Sequence, residues 1–146
     1  MKSEAVKYAV GGASHQGQLI YDESKTGLPL LLVAPNWRGV VADNIAIGQK
    51  HAGDGYVVLM PDMFGEGKGP KGTENPMEFL APFIEDVAGT RRAIVGALDA
   101  MTAEAAKRVA PVHPETDKPT RGYSKLYAEQ ILGADEGCDF AFLRPQ

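Results

Sequence analysis

Two apolar runs in this chain end in sharply shaped loops. Leu28 to Ala34 stops at Pro35-Asn36-Trp37-Arg38-Gly39, and Tyr56 to Met60 stops at Pro61-Asp62-Met63-Phe64-Gly65. Such runs are expected of strands covered on both faces. Between them, Ala42 to Gly53 predicts a helix. Ile45, Ile47 and Ala52 give it an apolar face, Asp43 stands near its N-cap, and Gly53-Asp54-Gly55 stops it. Strand, helix and strand within about 30 residues make a βαβ unit. In open α/β sheets, sites form beyond the carboxyl ends of the strands. The two loops therefore mark where chemistry would sit.

The flanking sequence extends this plan. Val6 to Val10 and Gln18 to Tyr21 predict a two-stranded antiparallel opening, with turn signals at Gly11-Gly12 and at Ser24 to Gly27. Met63 to Asn75 reads as a glycine-rich loop. Phe83 to Met101 predicts a longer helix through Ile84, Val87, Ile94, Val95 and Leu98. Gly89 and Gly96 weaken that helix by about 1 kcal/mol each relative to alanine, and read as close helix–sheet packing. After Lys107 the chain changes character. Val109 to Thr120 carries three prolines and no periodicity, Ser124 to Leu132 predicts a short helix, and Phe140 to Leu143 a short strand. The expected division is thus an α/β unit over 1–107 and a divergent tail over 108–146. More fold would be expected after a strand so close to Gln146.

Composition narrows the function classes. The 146 residues are 44% hydrophobic and 23% charged, ordinary values for a single soluble domain. A net charge of −4 argues against nucleic acid or an anionic membrane surface as partner. No apolar run approaches the ~20 residues that span a bilayer. Met1 to Ala5 lacks the apolar core of a signal peptide, and the single Cys138 rules out an internal disulfide. A cytoplasmic location is the resulting expectation.

From Tyr8 to Met101 the chain resembles the N-terminal half of the dienelactone hydrolase family. Four segments carry the likeness, in order: Gln18-Leu19-Ile20, Leu31 to Gly39, Gly55-Tyr56-Val57-Val58-Leu59-Met60-Pro61-Asp62-Met63-Phe64-Gly65-Glu66-Gly67, and the helix from Arg91 to Leu98. The resemblance implies an α/β-hydrolase fold and hydrolysis of a small ester or lactone. Here that fold is incomplete: a short antiparallel opening followed by parallel βαβ units. Hydrolysis of this kind needs a nucleophile on a tight elbow, a histidine base, an acid that orients it and an oxyanion hole. By position, the resemblance assigns one oxyanion donor to the backbone amide of Trp37. Its alternative role is to cap the sheet edge. Asn36 stands where many members carry a glutamate, and asparagine cannot ionise.

The elbow departs from the family pattern. Gly122-Tyr123-Ser124-Lys125-Leu126 begins like Gly-x-Ser-x-Gly but ends in leucine, and no strand precedes it. Ser124 is the candidate nucleophile, against a plain surface or helix-start role. Cys138 in Gly137-Cys138-Asp139 reads as a small hydrophobe. His15, in a turn, His51, on a helix, and His113, between prolines, read as solvent-facing. The expectation is a truncated hydrolase without a complete triad, using no cofactor and no metal.

A second resemblance covers the tail. Pro114 to Gln130 and Phe142-Leu143-Arg144-Pro145 resemble part of the NAD-dependent epimerases. Lys125 matches their active-site lysine, but Arg121 stands where the paired tyrosine should be. No G-x-G-x-x-G follows the first strand. The alternatives to a hydrolase are thus an epimerase or dehydrogenase remnant and a non-catalytic interaction module. For the latter, an exposed sheet edge would invite self-association.

Overall fold

The structure, a computed structural model, describes residues 1–72 and 74–109. Its elements in chain order are β1 (Lys2–Val10), β2 (Ala13–Tyr21), β3 (Leu30–Leu32), α1 (Ala42–Gly53), β4 (Val57–Met60), α2 (Pro76–Glu85) and α3 (Val87–Ala106). The strands form one mixed sheet in the order β1-β2-β4-β3. β1 and β2 are an antiparallel hairpin that pairs Val10 with Ala13. Gly11 and Gly12 between them have φ of +56° and +81°. Two successive positive φ values suit a two-residue turn that follows the right-handed twist of the strands. β2 runs antiparallel to β4, and β3 runs parallel to β4, so β3–α1–β4 is the expected βαβ unit.

The sheet is covered on both faces by alternate side chains of the same strands. On one face Val6, Tyr8, Leu19, Tyr21, Val57 and Leu59 pack against Ala97, Met101 and Ala105 of α3. On the other, Ile20, Leu31 and Val58 pack with Ala52 of α1. All four β4 residues are buried, which explains their unbroken apolar sequence. The helices approach closely. A Cβ on Gly48 of α1 would lie 2.6 Å from Ile20 Cδ1, and one on Gly96 of α3 would lie 2.6 Å from Val10 Cγ1.

Several expectations need correction. The hairpin strands are longer than the apolar pattern indicated, because their solvent-facing residues are polar. His15 therefore lies on β2, not in a turn. β3 is only three residues, since Pro29 has no N–H to offer the ladder and Pro35 follows closely. The buried positions of α1 are Asn44, Gly48 and Ala52, while Ile47 is exposed. N-cap Val41 offers no side-chain bond, and Asp43 sits in the first turn instead. The predicted helix from Phe83 is two helices. Asp86 breaks the run, and its carboxylate accepts from Gly89 N at 2.8 Å to cap α3. Gly89 thus leaves room for a cap, whereas Gly96 does serve sheet packing. α2 escaped notice because it begins directly after the glycine-rich loop and carries two prolines, Pro76 and Pro82, in ten residues. Asn75 caps it, with Pro76 at its first position. No helix among the described residues is long and apolar enough to cross a membrane.

Candidate functional site

Both loops named in the sequence lie side by side, because β3 and β4 are parallel neighbours. The first is a tight turn over residues 36–39. Gly39 N donates to Asn36 O at 2.9 Å, and Gly39 has φ of +78°. The Asn36 side chain closes the same turn, its Oδ1 accepting from Arg38 N at 3.0 Å. That oxygen also accepts from Asn44 Nδ2 at 2.9 Å, and the same nitrogen donates to Gly39 O at 2.7 Å. Asn44 is 4% exposed, the one buried polar side chain among the described residues.

This network uses the amides of the turn unequally. Arg38 N and Gly39 N are both satisfied by Asn36. The Trp37 amide has no acceptor among the described residues. A backbone N–H left in this state at the edge of a hollow is able to receive an anionic oxygen. Asn36 is thus the organiser of the turn. Its side-chain acceptor is already engaged twice.

The second loop is organised by Asp62. Its Oδ1 accepts from Phe64 N at 3.0 Å and Gly65 N at 3.1 Å, and its Oδ2 accepts from Gln16 N at 3.1 Å. Gly65 has φ of +107°, a region that favours glycine. The backbone of Asp62 is held from the hairpin. The Tyr8 hydroxyl accepts from Asp62 N at 2.9 Å and donates to Asp62 O at 3.2 Å, and His15 Nδ1 lies 3.0 Å from that carbonyl oxygen. The two rings stack at 5.3 Å. Burial pushes the Tyr8 phenol up to about 12. His15 is therefore a half-buried anchor of the loop, not a solvent-facing residue.

A shallow hollow of about 180 Å³ opens between the loops, lined among others by Gln16, Arg38, Asp62, Phe64 and Lys71. A neighbouring one of about 100 Å³ shares Arg38 and Lys71 and reaches Trp37. Arg38 pairs with Asp43 at 2.8 Å. Phe64 meets Phe79 and Phe83 edge-on at 5.5 and 5.6 Å, tying α2 to the loop. The hollows thus bring together Lys71, the ion-paired Arg38 and the unbonded Trp37 amide, with Asp62 and Glu66 on the larger one. No group of His, Cys, Asp and Glu able to hold a metal occurs among the described residues.

Of the residues singled out in the sequence, the structure brings Trp37 and Asn36 together in one turn. Ser124, Lys125, His113 and Cys138 lie outside the described residues, as does the region of the second resemblance. His51 is on α1, half-buried. Asn44 was missed. Its signal was the spacing of Asn44, Gly48 and Ala52, a face built of one polar and two small residues.

The model of the dienelactone hydrolase family matches residues 17–116. The chain belongs to the dienelactone hydrolase family. No curated protein matches it significantly. Two solved structures of like fold are "m3DLH", 26% identical with a TM-score of 0.64, and the dienelactone hydrolase-like promiscuous phosphotriesterase P91 from metagenomic libraries, 27% identical with a TM-score of 0.63. Each match covers 70% of this chain and 43% of the other. A third, a putative dienelactone hydrolase from Klebsiella pneumoniae subsp. pneumoniae MGH 78578, is 17% identical with a TM-score of 0.60 and covers 77% of this chain and 46% of its own. At that identity the likeness is one of fold. This dienelactone hydrolase family chain therefore spans less than half the length of these structures, and its sheet is an incomplete α/β-hydrolase sheet.

Proposed function

We propose that this chain supplies the oxyanion wall of a carboxylic ester or lactone hydrolase, with the Trp37 amide as donor. The observation that carries this reading is the unequal use of the turn's amides. Asn36 takes up Arg38 N and Gly39 N and leaves Trp37 N without a partner among the described residues. In acyl transfer, negative charge develops on the former carbonyl oxygen, and a fixed N–H donor stabilises it without reorganising. Lys71 at the same hollow adds positive potential for that charge, while the charge of Arg38 is engaged by Asp43. Family membership supports a small-molecule ester or lactone as substrate.

Complete hydrolysis also requires a nucleophile, a base and an acid. Among the described residues, Ser3 and Ser14 are on β1 and β2 and Ser24 follows β2, so none stands on a strand-to-helix elbow. His15 is tied to the backbone of Asp62. Among the described residues the reading is therefore of a wall without its triad.

The test is a titration of the ¹⁵N-labelled chain with dimethylphosphinate, a tetrahedral monoanion shaped like the intermediate. The Trp37 amide resonance is expected to move saturably. A Trp37 amide that stays fixed throughout the titration would overturn the proposal.

A further inference from the structure

The turn that presents Trp37 is not held by its own residues alone. Asn44, at the third position of α1, reaches back across it. One nitrogen, Nδ2, donates both to Asn36 Oδ1 at 2.9 Å and to Gly39 O at 2.7 Å. These two acceptors belong to the first and last residues of the turn. Asn36 Oδ1 is also the acceptor for Arg38 N. The Asn44 bond therefore fixes the rotamer of the side chain that occupies the Arg38 amide. Asn44 is buried, and its neighbours along the face, Gly48 and Ala52, pin α1 against the sheet. Its amide is thus held on the packed face of α1 and bridges the two ends of the turn.

We infer that Asn44 is a positioning residue for the Trp37 amide: by bridging Asn36 Oδ1 and Gly39 O, it sets the turn in which Trp37 N is the donor left for substrate. The inference rests on the reading of Trp37 given above. It assigns Asn44 no contact with substrate. It gives physical content to the asparagine at position 36, because an uncharged Oδ1 can accept from both Arg38 N and Asn44 Nδ2 without placing a charge beside the oxyanion. Without the Asn44 donor, Asn36 Oδ1 is free to leave Arg38 N. The Arg38 and Trp37 amides then compete for any anion, and neither is preorganised.

A merely structural role predicts a loss of stability with binding unchanged in the folded fraction. A positioning role predicts weaker binding at the Trp37 amide as well. The two separate in a titration of the full chain with dimethylphosphinate, followed at the amides of residues 37, 38 and 39 under conditions where every variant is folded. Asn44→Ala is expected to bind about tenfold more weakly, as for loss of one hydrogen bond at a charged group. The Arg38 amide should then move along with that of Trp37. Asn44→Ser keeps one donor and is expected to fall between Asn44→Ala and the wild type. Met101→Ala, in the core on the opposite face of the sheet, lowers stability without touching the turn and should keep wild-type affinity. Asn44→Ser against Met101→Ala decides the question even where Asn44→Ala does not fold. Wild-type affinity in the Asn44 variants would overturn the positioning role and leave the Trp37 reading standing. A wild-type chain whose Trp37 amide does not respond would overturn both.

Discussion

Asn44 Nδ2 donates to Asn36 Oδ1 across the β3–α1 turn at 2.9 Å, and this bond links the buried face of a helix to an exposed loop. It also explains why a polar residue can occupy the buried face of α1. Removing it leaves Asn36 Oδ1 with Arg38 N alone and Gly39 O with Val41 N alone. Asn44→Leu, which keeps the branching of the side chain but has no donor and is bulkier, is expected to cost about 1–3 kcal/mol in urea denaturation. An unchanged midpoint would show that water replaces the amide at no cost.

Asp62 is a second organiser, accepting from three backbone N–H groups. Asp62→Asn keeps one acceptor oxygen and puts an NH₂ group against the remaining donors. It is expected to lower stability by about 1–3 kcal/mol. Amide exchange at Phe64 and Gly65 should accelerate more than exchange in β4.

The Tyr8 phenol gives the fold a signature at high pH. Burial raises its pKa to about 12, above the ordinary value of about 10. The folded state thus favours the protonated phenol. That contribution is fully present below about pH 10 and is lost as pH rises through about 12. Tyr8→Phe loses the hydroxyl bonds to Asp62 at neutral pH but has no phenol to ionise at position 8. The stability gap between wild type and Tyr8→Phe should therefore narrow from pH 10 upward, by on the order of 2 kcal/mol. A gap that is constant with pH would contradict a buried phenol.

Glycine positions test the close packing of the sheet. A Cβ on Gly17 would lie 2.6 Å from Met60 O, a backbone atom that cannot swing away. Gly17→Ala is expected to cost about 1–3 kcal/mol. Gly53, at the end of α1, has no heavy atom within 4 Å of such a Cβ. Gly53→Ala should be neutral or slightly stabilising in the same urea series.

Hydrolysis of p-nitrophenyl acetate by the purified chain is expected to stay at the buffer rate, because no described serine stands on an elbow and the sequence around Ser124 ends in Leu126 where the elbow has glycine. A rate above buffer that disappears in Ser124→Ala would put the nucleophile in this chain and contradict that expectation.

The legible part of the fold was its apolar part. β4 and the β3–α1–β4 unit were visible because buried parallel strands are continuous apolar runs. The parts missed were held by polar or small residues. Lys2 to Ala5 and Ala13 to Gly17 alternate too weakly to signal strands. The packed face of α1 is Asn44, Gly48 and Ala52, which no hydrophobic period reveals. The junction of α2 and α3 depends on Asp86 as a cap inside an apolar run. For the site, the sequence pointed to Trp37 and Asn36 through the family resemblance. What Asn36 does was not legible, because its partners are one backbone amide in its own turn and one side chain eight residues on. His15 looked exposed because turn glycines precede it. Its place on β2, stacked on Tyr8, depends on the register of the hairpin, which pairs Tyr8 with His15.

The most direct test follows three amides of one turn. In the ¹⁵N-labelled chain titrated with dimethylphosphinate, the Trp37 resonance should shift furthest and saturate. Arg38 and Gly39, already bonded to Asn36, should move little. Equal shifts at all three amides, or a shift at Arg38 with Trp37 unmoved, would contradict the assignment of Trp37 as the oxyanion donor.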